Sequence, residues 1–217
     1  MKKNRKLLYT SFGLLAAFVL WTVLVRLVDI APIGTNGVGF ATLNGAVHDL
    51  VGVHMGLYTA TDWLGLVPIL VALAFAALGL AQMIKRRSLL KVDRSILVLG
   101  GFYAVVVAAF LFFEVCVINY RPVLIEGRME ASYPSSTTLL VTCVIPTAML
   151  QLRDRIKNTT LRQIALWCLG AFAAFMVVGR LISGVHWITD IIGGALLSAG
   201  LVTLYAAVCR MVEAPRE

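Results

Sequence analysis

Charged side chains are scarce in this 217-residue chain: 14% of residues are Asp, Glu, Lys or Arg, against 60% hydrophobic. One small soluble domain cannot bury that many apolar residues, so the composition excludes a soluble globular domain and points to a membrane protein. A cysteine pattern is also missing. Cys116, Cys143, Cys168 and Cys209 fall inside apolar runs, with neither metal-ligand spacing nor pairs in loops, so they read as small apolar residues. No metal or other cofactor is expected. The net charge of +8 lacks a basic face interleaved with aromatics, which argues against a nucleic-acid partner. Internal repeats and low-complexity segments are absent, so one membrane domain over residues 1–217 is expected.

What the chain has is apolar runs of bilayer-crossing length, for which about 20 residues suffice. They lie near 7–27, 63–84, 95–120, 137–152, 161–182 and 186–209. The fold class read from them is an all-α polytopic bundle of six spans. The first run follows MKKNRK; it is long for a signal-peptide core and no small-x-small cleavage site follows, so a retained anchor is expected.

Basic residues cluster in alternate loops. Lys2, Lys3, Arg5 and Lys6 precede the first run, Lys85, Arg86, Arg87, Lys91 and Arg94 follow the second, and Arg153, Arg155, Lys157 and Arg162 follow the fourth. Positively charged short loops stay cytoplasmic. The expected topology therefore has both termini inside, with the loops at 28–62, 121–136 and 183–185 outside. Outward positions hold only Arg26, Arg121, Arg128 and Arg180. In the first outer loop Phe40, Leu43, Val47, Leu50, Val51 and His54 recur at roughly helical spacing, which predicts a short interfacial helix over 40–56.

The stretch GRLISGVHWITDIIGG, from Gly179 to Gly194, puts a guanidinium, an imidazole and a carboxylate at the outer ends of two adjacent spans. Ionisable groups there are costly without partners or a function. With a helix starting near His186, the four-residue spacing to Asp190 places both on one face, so the carboxylate orients the ring and leaves its other nitrogen free to attack. Arg180, across a turn containing Gly184, can present a guanidinium fork to phosphoryl oxygens. The second outward stretch carries Arg121-Pro122 and then Pro134-Ser135-Ser136-Thr137. Ser135 or Ser136 fits the N-cap of the fourth span, and a helix start beside a hydroxyl is an anion site.

These residues together resemble the type 2 phosphatidic acid phosphatase superfamily of membrane lipid phosphatases. Its third signature is Ser-Arg, five residues, His, three residues and Asp; Arg180, His186 and Asp190 fit it, with Gly179 in place of the serine. The first signature keeps Arg121-Pro122 but has Glu114 where lysine is usual. The second keeps Pro134-Ser135 and has Ser136 and Thr137 for glycine and histidine. The resemblance implies a phosphohistidine at His186 oriented by Asp190, with Arg121, Arg180, Ser135 and Ser136 holding phosphate. It also implies a lipid phosphate substrate and a bacterial cytoplasmic membrane, while the basic clusters lead to the expectation that the site faces outward.

The two departures bear on the leaving group. Thr137 cannot act as an acid near neutral pH as imidazole does. An alkoxide leaving group suffers from that loss, whereas a diphosphate releases a stable phosphate monoester anion, so polyprenyl diphosphates such as undecaprenyl diphosphate are the expected substrates. Glu114 stands two helical turns before Arg121. It can pair with Arg121 or Arg180, or stand in as the missing acid. The alternative is a catalytically inactive relative that binds, carries or senses a lipid phosphate or supports a partner protein; an oriented His186 argues against it. His48 and His54, six apart with no third ligand, read as interfacial packing. Glu126, Arg128 and Glu130 read as a solvated loop, or alternatively as a lid.

Overall fold

The structure is a computed structural model that describes residues 2–33 and 36–213. The chain ends at 1 and 214–217, on which the expectation of inward termini partly bears, lie outside the described residues. The eight α-helices among those residues are α1 (Lys2–Leu27), α2 (Ala41–Val51), α3 (Met55–Leu64), α4 (Leu66–Arg86), α5 (Arg94–Val115), α6 (Ser136–Arg155), α7 (Thr159–Ile182) and α8 (Ile188–Glu213). Between α1 and α2, β1 (Ala31–Ile33) pairs antiparallel with β2 (Asn36–Val38).

The chain is a polytopic helical membrane protein. Among the described residues, five segments are long and apolar enough to cross a bilayer: Asn4–Leu27, Met55–Arg86, Arg94–Val115, Thr159–Ile182 and Ile188–Glu213. The remaining run, the fourth expected from the sequence (137–152), is α6, and it is less apolar for a physical reason. It packs against α8, α7, α4 and α5, with Thr138, Thr147 and Gln151 buried beside Val141, Cys143 and Ile145. A helix shielded from lipid by other helices can carry polar groups that find partners in the bundle. Thr142 donates to Ser198 Oγ on α8 at 2.6 Å, and Thr147 Oγ1 lies 3.3 Å from the Tyr103 hydroxyl on α5.

Close helix approach explains several glycines. A Cβ on Gly200 would fall 2.7 Å from Leu15 on α1, and one on Gly193 2.5 Å from the Tyr133 ring. Small residues at such contacts let backbones come together where dispersion is the main attraction. The cysteines are all free, but Cys116 and Cys168 are exposed on the bundle's outside while Cys143 alone is fully buried. An exposed thiol in an apolar segment faces lipid at little cost.

Two of the basic clusters, those after α4 and at the end of α6, meet at one end of the bundle. Asp93, just before α5, accepts from Arg86 at 2.9 Å, Gln82 at 2.8 Å and Arg155 at 3.3 Å, joining the α4–α5 link to the end of α6. Arg94 donates to the Val212 carbonyl at 2.9 Å, bringing in the end of α8. At the opposite end the first loop folds over the α7–α8 turn. Its helix is broken: α2 stops at Gly52, whose φ of 69° is left-handed and favours glycine, and α3 restarts at Met55. The sequence pattern over 40–56 shows no such break, because its apolar spacing continues through the kink.

Candidate active site

Ser183 to Trp187 form the turn between α7 and α8. Gly184 has φ of 68°, and a Cβ there would lie 1.9 Å from the Gly52 carbonyl oxygen, so only glycine lets this turn seat against the first loop. The His54 backbone N–H donates to the Ser183 carbonyl at 3.0 Å, fixing the same contact. His54 uses its ring locally, Nε2 donating to the Val51 carbonyl at 2.8 Å. The His48 ring tilts against Trp187 with centroids 5.6 Å apart, beside the site rather than in contact with its arginines.

His186 lies within this turn, two residues before α8 begins. The geometry thus differs from two side chains on one helix face: Nδ1 of His186 approaches Asp190 Oδ2 across the turn, at 3.6 Å. The same Oδ2 accepts the Trp187 backbone N–H at 3.0 Å. Asp190 therefore satisfies an orphan donor at the start of its own helix, where a carboxylate is favoured, and this holds the helix start just beyond the histidine. Asn44 of α2 secures the neighbouring residue, its amide nitrogen donating to Thr189 Oγ1 at 3.0 Å.

Arg180, in the last turn of α7, is 1% exposed. Its Nη2 is 3.3 Å from His186 Nε2. With Nδ1 turned to Asp190, Nε2 bears the ring's lone pair and Arg180 donates toward it. The other branch, Nη1, reaches Thr61 Oγ1 at 3.5 Å and Asp62 Oδ1 at 3.6 Å. α3 comes this close because position 179 lacks a side chain: a Cβ on Gly179 would sit 2.9 Å from the Thr61 methyl. The glycine that departs from the family's serine is the one against which α3 packs.

Arg121 follows α5 and begins a hairpin-like loop bridged at Tyr120–Ala131 and Ile125–Arg128. The loop returns Glu130 to it: the Arg121 N–H donates to the Glu130 carbonyl at 3.0 Å, and Nε lies 3.1 Å from Oε2. Tyr58 of α3 joins the two arginines. Its ring centroid is 4.8 Å from Arg180 Cζ and 5.8 Å from Arg121 Cζ, within range for cation–π attraction. Neither guanidinium is saturated, since Arg121 Nε and Nη1 and Arg180 Nε are buried without a hydrogen bond.

His186 is held neutral. Burial pushes its pKa well below the usual imidazole range, and the positive charges of Arg121 and Arg180 push the same way, outweighing the Ser132 backbone contact that opposes them. The Asn119 amide and the Ser132 hydroxyl face the Asp190 carboxylate from the loop side. Neither closes a hydrogen bond of good geometry, and Asp190 Oδ1, Asn119 Nδ2 and Ser132 Oγ have no other partner.

Ser135 caps α6, its Oγ accepting from the Thr138 N–H at 3.4 Å, and its own N–H donates to the Asp190 carbonyl at 3.1 Å. The start of α6 is thereby docked on the start of α8. Ser136 and Thr137, in the first turn, are half-buried. Glu114 is exposed and lines a narrow cleft with Ser132, Pro134 and Ser136. The carboxylates paired with the arginines are Glu130 and Asp62, so the pairing expected for Glu114 is replaced by theirs. The physical reason is placement: Glu114 sits on the bundle's outer surface near the end of α5, before the chain turns in to Arg121.

Geometry thus gathers Arg121, Arg180, His186 and Asp190, with Ser135 one backbone contact away. Sequence reasoning missed Tyr58, Thr61, Asp62, Asn119, Ser132 and Glu130. Asn119 and Ser132, polar residues flanking the loop that follows an apolar span, were a readable signal. Tyr58 and Asp62 were not, because nothing local in α3 foretells its contact with α7.

The pattern of the PAP2 superfamily matches residues 105–213, so the chain belongs to that superfamily. A crystal structure of a transmembrane PAP2-type phosphatidylglycerolphosphate phosphatase from Bacillus subtilis is similar over 96% of this chain and 100% of that one, with a TM-score of 0.64 and 18% identity. That likeness bears on the fold, which the two share. No curated protein matches the chain.

Proposed function

We propose that the protein is a membrane lipid phosphatase working through a phosphohistidine at His186. One observation carries this reading: the Nε2 lone pair of a neutral, buried imidazole lies 3.3 Å from an arginine, beside a second arginine with unmet donors. Two such forks bind phosphoryl oxygens and the charge that develops on them. On substrate binding Arg180 transfers its donor from Nε2 to a phosphoryl oxygen, freeing the lone pair. Nε2 then forms a bond to phosphorus as the bond to the leaving oxygen breaks, and that oxygen keeps the electron pair. Asp190 balances the positive charge on the ring through Nδ1. Water then cleaves the P–N bond, releasing phosphate and restoring neutral His186. Ser135 holds the start of α6, and the free N–H groups of a helix start favour an anion.

Because Thr137 supplies no proton near neutral pH, the favoured substrates are polyprenyl diphosphates, undecaprenyl diphosphate among them, whose leaving group is a phosphate monoester. The phosphomonoester named for the B. subtilis phosphatase, phosphatidylglycerolphosphate, expels an alkoxide and is the natural comparator. The segregation of basic clusters to the end opposite the site supports an outward-facing site in a bacterial cytoplasmic membrane with the termini inside.

Phosphate release by purified wild type and His186→Ala in detergent tests the reading, on phosphatidate, phosphatidylglycerolphosphate and undecaprenyl diphosphate. Release from the diphosphate that vanishes in the variant is expected. Wild-type protein that binds these lipids but turns over none would establish instead the silent relative, which keeps the anion pocket without the chemistry. Faster release from phosphatidate than from the diphosphate would overturn the leaving-group argument.

A further inference from the structure

Both arginines of the site are buried, with side-chain exposures of 9% for Arg121 and 1% for Arg180, yet each faces a largely exposed carboxylate: Glu130 at 43% and Asp62 at 58%. A buried guanidinium without a counter-charge is costly, so these carboxylates stabilise the site as it stands. Their geometry is nevertheless poor for permanent partners. Asp62 Oδ1 approaches Arg180 Nη1 to only 3.6 Å, beyond ordinary hydrogen-bond length. Glu130 Oε2 comes within 3.1 Å of Arg121 Nε, but that nitrogen makes no aligned hydrogen bond. Neither contact is the bidentate fork that would use both parallel donors of a guanidinium. Both carboxylates also come from outside the chain's phosphatase signatures, one from α3 and one from the loop after Arg121.

We propose that Glu130 and Asp62 are displaceable counter-ions that set the site's specificity among anions. An incoming phosphoryl group has to supply at least the stabilisation these two provide, with better geometry, before it takes the arginines. Bidentate phosphoryl oxygens do so, whereas a weakly held anion without further anchorage does not. The pair thereby discriminates against free inorganic phosphate, the product of hydrolysis, and in favour of a phosphoryl group tethered to a membrane lipid. Arg180 is the more sensitive partner, because the guanidinium that faces Asp62 through Nη1 contacts His186 Nε2 through Nη2. This inference rests on the arginines being the phosphate clamp.

The test uses inorganic phosphate and orthovanadate as probes. Their binding to full-length wild type, Glu130→Gln, Asp62→Asn and the double variant is measured by calorimetry in detergent, alongside inhibition of lipid hydrolysis. Both side chains are largely exposed and the amides are near-isosteric, and Glu130→Ala and Asp62→Ser serve as second variants should an amide misfold. Each single change is expected to tighten anion binding by roughly 3- to 10-fold, on the scale of a partly exposed ion pair. The double variant is expected to tighten it further. Unchanged or weaker binding in folded variants overturns the counter-ion role while leaving the phosphate clamp in place. Failure of wild type to bind either anion, with no gain in the variants, overturns the clamp and this inference together.

Discussion

Arg180 Nη2 lies 3.3 Å from His186 Nε2, so the two groups expected to meet the same phosphoryl unit first meet each other. Burial first, and then the charges of Arg121 and Arg180, depress the basicity of the ring. A protonated ring has no lone pair at Nε2, so burial and the arginines together favour the form that the proposed attack requires.

The pH dependence follows with a definite sign. The folded His186 pKa lies well below the usual imidazole value, for reasons of burial first and then of Arg121 and Arg180. The acid limb of kcat/KM is therefore expected well below pH 6.5. Replacing Arg121 by Gln removes one of the two repelling cations, so the folded pKa rises toward its ordinary value and the acid limb moves to higher pH. An acid limb that stays in place, or moves down, in Arg121→Gln refutes the electrostatic coupling. Stability carries the same sign. The unfolded state takes up the proton first, so this group's contribution is present above the unfolded pKa and lost as pH falls below it.

Asp190→Asn keeps size and the Trp187 contact but removes the charge that faces Nδ1. A fall in kcat on the order of 10²- to 10⁴-fold is expected, with KM little changed, because the carboxylate acts on the ring and not on the lipid. A drop confined to KM would place Asp190 in binding instead. Circular dichroism checks that the α8 start survives.

How much of this was legible beforehand depended on whether the signal was local. The apolar runs and the four-residue His186–Asp190 interval report periodicity and spacing, and the membrane bundle and the third signature follow from them. Glu114 misled because two helical turns before Arg121 implies a shared face only if the helix continues, and α5 ends at Val115. Tyr58 and Asp62 owe their places to the helix break at Gly52, and Glu130 owes its place to the loop reversal at Gly127, whose consequences are long-range. Gly179 looked like a lost serine; only the Thr61 methyl packed there shows what the missing side chain permits.

The cluster at the opposite end predicts a stability effect without a catalytic one. Burial alone pushes the Asp93 carboxyl up, but hydrogen bonds from Arg86, Gln82 and Arg155 outweigh it and hold its pKa below the ordinary value. Its contribution is thus present above the usual carboxylate pKa and lost as pH falls through the lower, folded one. Since the side chains of the pair are 41% (Arg86) and 32% (Asp93) exposed, Asp93→Asn is expected to cost only about 1 kcal/mol. Thermal unfolding in detergent at pH 7 measures it, and unaltered specific activity of the folded fraction is the companion result. A change in kcat would show that this end communicates with the site.

Thr137→His offers the converse experiment, a gain. Thr137 is half-buried in the first turn of α6, whose cap Ser135 is joined by its N–H to the Asp190 carbonyl at 3.1 Å, so an imidazole placed there projects from a turn docked on the start of α8, just beyond His186. A titratable donor helps most where the leaving oxygen is a poor anion, as in phosphatidate, and least where a phosphate monoester departs unaided. The variant, made with Ser136→Gly to give room, is therefore expected to raise kcat on phosphatidate by up to about 10²-fold while changing the polyprenyl diphosphate rate little. The ratio of the two rates, measured on the same preparation, is independent of the folded fraction. An unchanged ratio would mean that proton supply is not what separates the two substrates, and the preference for diphosphates would then need a cause in binding.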